Sequence, residues 1–464
     1  MTDPHITSAR RDASAALDLA EDAWRTRDAA SMQAALAACD RALRGLPAER
    51  INEADGAPDP RDPLAMERMA LWLWRGRLLV AADQPEAVSQ GLASLDQALA
   101  RLRLARPGPD VTGMLITVWM NRGGGLFRLD SRQALEEGLA CYERAIGLMR
   151  SFAGTVSVTL GAAWMNIGAG LLRLESSGEA KDARAARLAR AAAALAEAVR
   201  VLEPVATGSD AARRNLASSW ANLGVVRLAQ HDPAAALAAN QHAVETFRPL
   251  AAGGDQATAL ELAARLHNLV HAAGESGEYE LALRSGREAL ALARQAAAVH
   301  EPRALEMELR VRHGLCVALG KTLAASHAAA AADDPVRAAR LAEAGDLVED
   351  GLAALRAAGV RAGDEARTFG ARLYEFGAWL YRTCQPWFLA EFLLEHLDDA
   401  PGHELVAREA LRMARQTYVQ RPFDDHAPDR IERTLETLNS LNAVEQRLLE
   451  RERARASASA ATPP

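Results

Sequence analysis

His267-Asn268-Leu269-Val270-His271 sets two imidazoles one helical turn apart, a spacing that can hold a transition metal. The glutamate that serves as general base in an HExxH helix is missing, and Glu275 is the one local candidate for a third ligand. A second cluster, Glu391, Glu395, His396, His403 and Glu404, ends in a turn signal rather than a catalytic geometry. Gly123, Gly124 and Gly125 follow no strand and lie inside a helical pattern, so they read as packing glycines and not as a phosphate cradle. No nucleophile elbow, Walker loop or dinucleotide fingerprint is present. The chain is therefore expected to be non-enzymatic, with no cofactor and no metal. A different group stands out instead: Asn121, Asn166, Asn222 and Asn268 recur at one position of a repeated pattern, where Trp74 stands in for a fifth. Asn is a mediocre helix former, so its recurrence inside helical patterns asks for a reason. One amide offers both a donor and an acceptor, which suits it to gripping a peptide backbone.

The elements that position these residues repeat along the chain. WMNRGGGLFRLD from Trp119 and WMNIGAGLLRLE from Trp164 agree at eight of twelve positions. Trp72, Trp119, Trp164 and Trp220 are each followed four residues on by Gly76, Gly123, Gly168 and Gly224, and Leu266 takes the Trp position in a fifth copy. The spacings are 47, 45, 56 and 46 residues, a period of the kind that marks a solenoid. Each copy has a second half in which small residues recur seven apart: Ala35 and Ala42, Gly91 and Ala98, Gly138 and Ala145, Ala236 and Ala243, Ala282 and Ala289. Seven residues are about two helical turns, so these pairs stack on one face. A bulky helix thus alternates with a helix offering shallow holes, which predicts a row of antiparallel helical hairpins. Pro47–Pro63, Ala105–Asp110, Glu203–Asp210 and Pro249–Gln256 supply the turns between them.

Trp220-Ala221-Asn222-Leu223-Gly224 with Ala236 and Ala243, and Gly277-Glu278-Tyr279 with Ala282 and Ala289, resemble the tetratricopeptide repeat (TPR). The usual period is about 34 residues; these copies are longer, similar in that respect to the kinesin light chain. The stretch Ser176–Ala194 reads as an insertion or a very long second helix. The resemblance implies an all-α fold, a right-handed superhelix of antiparallel hairpins in six to seven units. It also implies that Asn121, Asn166, Asn222 and Asn268 face a concave groove. In O-GlcNAc transferase and kinesin light chain, which the array resembles here, such asparagines grip an extended peptide. Arg128 and Arg173, each seven residues after an Asn, would add a preference for an acidic segment or a terminal carboxylate. His267 and His271 flank Asn268 and read as ligand contacts of the same groove.

From Phe369 the composition changes: eight aromatics fall between Phe369 and Phe392, in a chain only 5% aromatic overall. They read either as a cap that seals the last repeat or as a partner or dimerisation surface with Trp379, Trp387 and Phe388 as anchors. Ile431–Glu450 reads as a last amphipathic helix, with Ile431, Leu435, Leu438, Leu441, Val444 and Leu448 on one stripe. The expected domains are a repeat array over 1–360, an aromatic-rich helical module or cap over 361–453, and a disordered tail over 454–464.

The 464 residues carry a net charge of −7, which excludes a basic nucleic-acid surface. No apolar run is long enough to span a membrane, and Cys39, Cys141, Cys316 and Cys384 form no paired framework. The expected setting is cytoplasmic, and the Ala- and Arg-rich composition suggests a bacterial source. The function expected from these readings is a protein–protein adaptor or scaffold that holds an extended partner peptide, with a preference for acidic segments. The alternatives are an assembly protein that oligomerises through its C-terminal module, and an enzyme with its site in that module.

Overall fold

The computed structural model describes residues 4–26, 28–50, 59, 62–82, 84–129, 131–152, 157–174, 179–297, 303–327, 334–359, 362–384, 389–397, 403–420 and 439–454. Among them there are helices and turns and no strand. Helix starts follow the sequence locally. Asp28, Ser131, Ser209, Asp232, Asp255 and Asp334 each accept a hydrogen bond from a backbone N–H of the first turn, while Pro85, Pro109, Pro233 and Pro335 occupy first-turn positions that have no N–H to satisfy. The chain divides into two compact units, Met1–Gln230 and His231–Pro464.

The first unit holds α1 (Pro4–Thr26), α2 (Ala29–Gly45), α3 (Ala65–Ala81), α4 (Pro85–Leu102) and α5 (Pro109–Leu126). It continues with α6 (Arg132–Ser151), α7 (Ser157–Arg173), α8 (Lys181–Leu202), a short 3-10 turn (Glu203–Gly208) and α9 (Asp210–Ala229). The long second helix expected around Ser176–Ala194 is α8, at 22 residues. Consecutive helices pack pairwise as α1 with α2, α3 with α4, α5 with α6 and α7 with α8, and each second helix then meets the next first helix. First helices also touch directly: α1 with α3, α3 with α5, and α7 with α9.

The glycines four residues after Trp72, Trp119 and Trp164 are the close-contact points of this packing. A Cβ on Gly76 would lie 2.6 Å from Leu95 Cγ, and one on Gly123 would lie 2.8 Å from Tyr142 Cζ; Gly168 meets Leu195 in the same way. The missing side chain thus admits a large residue of the second helix, and the seven-residue pairs of small residues make the return contact. Ala98, Ala145, Ala191 and Ala198 are fully buried. One ion pair joins α3 to α2, Arg75 Nε to Asp40 at 2.7 Å, and one joins α5 to α4, Arg122 Nε to Asp96 at 2.9 Å.

The second unit holds α10 (Pro233–Ala251), α11 (Gln256–Glu275), α12 (Tyr279–Ala297), α13 (Ala304–His327), α14 (Pro335–Ala358) and α15 (Asp364–Cys384). It ends in α16 (Leu389–His396), α17 (His403–Gln420) and α18 (439–454). The α11–α12 turn requires glycine: Gly277 has φ +80°, and the Glu278 N–H reaches back to Ala273 O at 2.9 Å, closing a Schellman-type end. First helices again touch in succession, α11 with α13 and α13 with α15. Between the second helices runs a zipper, Glu280–Arg340 at 2.6 Å, Arg287–Glu343 at 2.7 Å and Arg294–Asp350 at 2.7 Å, its α12 members spaced by sevens. At the α13–α14 contact the buried Arg312 bonds Glu308 at 2.8 Å and Leu347 O at 3.2 Å.

Helix α15 packs on α13 and α14 in the manner that α13 packs on α11 and α12. Of its aromatics Tyr374 is buried, and Phe369, Phe376, Trp379 and Tyr381 are half-buried. Tyr374 is fully buried, donates to Leu393 O at 3.1 Å and stacks on His403 with ring centroids 3.9 Å apart. Tyr381 donates to Glu349 Oε1 at 3.0 Å. Leu441, Val444 and Leu448 of the expected last helix are buried on α18, whereas Ile431, Leu435 and Leu438 lie outside the described residues, as do 455–464 of the expected tail.

Candidate functional site

Asn121 of α5, Asn166 of α7, Asn222 of α9 and Asn268 of α11 all stand on first helices and are all half-buried. Asn121 spends its Nδ2 on its own helix, donating to Thr117 O at 2.7 Å. The side chains of Asn166, Asn222 and Asn268 make no hydrogen bond among the described residues. Three half-buried amides at one repeat position thus keep a donor and an acceptor each unspent inside the fold.

Trp74, at the equivalent position of α3, has another role. Its ring meets Trp24 of α1 edge-on with centroids 6.3 Å apart, and the Arg77 guanidinium lies 4.2 Å from both rings. Stacking of this kind fixes the aromatic against the first hairpin. Arg173 closes α7 and lies 5.8 Å from the Phe127 ring. Arg128 falls in the turn beyond α5, which ends at Leu126, so the helical register that relates it to Asn121 stops two residues short. Trp379 is half-buried beside Phe376, with ring centroids 5.2 Å apart, and lies against Gly320 of α13. Trp387 and Phe388 lie outside the described residues.

On α11, His267 and His271 do meet, with ring centroids 5.4 Å apart. Two further groups approach them that spacing alone did not reveal: His313 of α13 and Arg372 of α15. Burial, then His271, Arg310 and His313, push the His267 ring down to about 3. Burial, then Arg372 and His271, push His313 down to about 4. His271 is lowered as well, by the surrounding protein first, with Glu275 opposing and Lys321 and Arg372 adding to the effect. All three rings are therefore neutral near pH 7. Glu275, the local third-ligand candidate, is taken by Lys321 at 2.8 Å.

The acidic and histidine residues near the C-terminus form a scaffold around one buried ring. His396 Nδ1 lies 2.9 Å from Arg356, which can only donate, so the ring proton sits on Nε2 and is donated to Glu349 Oε2 at 2.7 Å. The His396 carbonyl accepts from His403 Nδ1 at 2.7 Å. Glu349, Glu395 and His396 bring ligand-type atoms within 4.8 Å of one another, but an imidazole spent at both nitrogens has no lone pair left for a cation. Burial opposes the ionised form of Glu349, yet its bonds to His396 and Tyr381 and the charge of Arg356 lower its pKa overall.

Paired hairpins, with glycine where α3, α5 and α7 meet their second helices, define the fold: a TPR-like array of helical hairpins. No protein-family model and no curated protein matches the chain. Among solved structures it is similar to the apo form of RapI, with a TM-score of 0.48 at 10% identity over 87% of this chain and 98% of that one. A Rap protein complexed with Competence and Sporulation Factor gives 0.45 at 12% identity, over 95% and 99%. The TPR domain of P58(IPK) gives 0.22 at 15% identity, over 95% and 99%. The fold class rests on the chain's own hairpins. No helix among the described residues is long and apolar enough to cross a membrane.

Proposed function

We propose that the chain is a non-enzymatic adaptor or scaffold that holds an extended segment of a partner protein along the first-helix faces of its repeats. The observation that carries this reading is the unspent amides of Asn166, Asn222 and Asn268, which recur where a peptide N–H and C=O would find both partners at once. Each hydrogen bond is worth about 1 kcal/mol net, too little for a few rungs to offset the ordering of a peptide. Arg173, His267 and His271 supply the additional anchors in this reading, the Arg173 charge giving it a preference for acidic segments, while Trp74 shapes the end of the face. The segment 361–453 acts in this reading as the module that closes the array, since α15 packs on α13 and α14.

The test is a pull-down from native lysate, comparing the wild type with the quadruple variant Asn121→Ala, Asn166→Ala, Asn222→Ala and Asn268→Ala. A partner kept by the first and lost by the second, at equal helicity by circular dichroism, supports the reading. Identical partner lists would make the asparagines scaffold.

A further inference from the structure

Three consecutive first helices of the second unit present one strip of cationic and imidazole groups: His267 and His271 on α11, His313 on α13 and Arg372 on α15. Phe369 forms its floor, with the Arg310 and Arg372 guanidinium groups 5.1 and 5.0 Å from the ring and His313 6.2 Å from it. The other cations nearby are neutralised. Lys321 is paired with Glu275 at 2.8 Å, and Arg310 with Glu306 at 2.6 Å and Glu365 at 2.7 Å. Arg372 is different: it is exposed, and no carboxylate among the described residues lies within ion-pair distance of it. His267 Nδ1 is likewise buried with no hydrogen-bond partner among the described residues. The strip therefore holds one uncompensated cation beside three imidazoles.

We propose that His271, His313 and Arg372 form a carboxylate-binding site for the captured segment, and that seating the carboxylate draws a proton onto the imidazoles. The proposal rests on the groove reading above and adds the ligand's chemistry and its pH response. Arg372 supplies a fixed charge that a carboxylate can meet bidentately. The charge that Arg372 imposes on His271 and His313 is part of what keeps them neutral, together with burial and, at His271, Lys321. A carboxylate that offsets this charge restores the affinity of the rings for a proton. Glu275, the one carboxylate that acts on His271 from α11, is held by Lys321, and Glu306 and Glu365 are held at Arg310. None of them supplies the missing anion at Arg372.

The experiment uses the full chain and fluorescein-labelled tetra-glutamate with a free C-terminus, the same peptide amidated, and tetra-glutamine free and amidated. Anisotropy between about pH 7.5 and about pH 5.5, where peptide carboxylates stay ionised, is expected to show binding that tightens as pH falls. The limit is about tenfold per pH unit for one proton taken up. The ring-proton resonances of His271 and His313 should titrate higher with peptide than without. Arg372→Gln, a surface change, should weaken binding at every pH, and His313→Gln should flatten the pH dependence. Binding lost on amidation of tetra-glutamine assigns a terminal carboxylate; binding kept by amidated tetra-glutamate assigns a side-chain one, and either supports the site. Binding equal for amidated tetra-glutamine, or histidine titrations unmoved by peptide, would overturn it. If the asparagine variant keeps its partners while these titrations move, the groove reading fails and the carboxylate site stands. The converse result removes only the carboxylate site.

Discussion

Among single residues, His267 and His313 are the most strongly perturbed histidines, with folded values of about 3 and about 4 against the ordinary value of 6.5. The sign follows directly. Above about pH 6.5 both folded and unfolded rings are neutral, and below it the unfolded chain takes up protons that the folded chain refuses. Stability is therefore full above that value and is lost as pH falls toward 4, by at most about 1.4 kcal/mol per pH unit for each proton. A urea titration of the whole chain should show a midpoint that drops between pH 7 and pH 5, and His313→Gln should drop less. An equal drop in both would mean that the acid sensitivity lies elsewhere. Much of this site was hidden in the sequence: the His267–His271 spacing was legible because both lie on one helix. His313 and Arg372 sit 42 and 101 residues beyond His271 and meet it only because α11, α13 and α15 are neighbours.

At the scale of helices, the pattern of glycine, alanine and Trp was fully legible, since a seven-residue spacing of small residues on one helix demands a partner that fills the holes. Gly123→Leu tests this contact. A side chain there collides with the Tyr142 ring and the second helix must give way, so a loss of about 1–3 kcal/mol is expected by urea unfolding. A loss within about 0.5 kcal/mol would show that the hairpin is loose. The zipper contacts were less legible, because each joins second helices of different repeats. Ion pairs also differ in weight. Arg287→Ala removes one exposed rung of the α12–α14 zipper and should cost no more than about 1 kcal/mol. Glu308→Ala removes the nearest partner of the buried Arg312, leaving it Asp350 at 3.5 Å, and should cost about 1.5–3 kcal/mol. Comparable losses in the two variants would contradict this division between exposed and buried pairs.

At the scale of the molecule, an amide position that recurs through both compact units is the feature that a repeat protein offers and a single domain does not. The sequence displayed that recurrence openly. It did not display that Asn121 bonds its own helix while Asn166, Asn222 and Asn268 make no hydrogen bond among the described residues, nor that Trp74 is locked against Trp24 and Arg77. Those differences depend on rotamers and neighbours, and they rank the asparagines: Asn166, Asn222 and Asn268 should each weaken partner binding on change to alanine more than Asn121 does. The most direct measurement is hydrogen exchange by mass spectrometry on the full chain with and without its captured partner. The account predicts added protection in the first helices α7, α9, α11 and α13, with the second helices α8, α10, α12 and α14 unchanged. Protection confined to the second helices, or to α16 and α17, would contradict it.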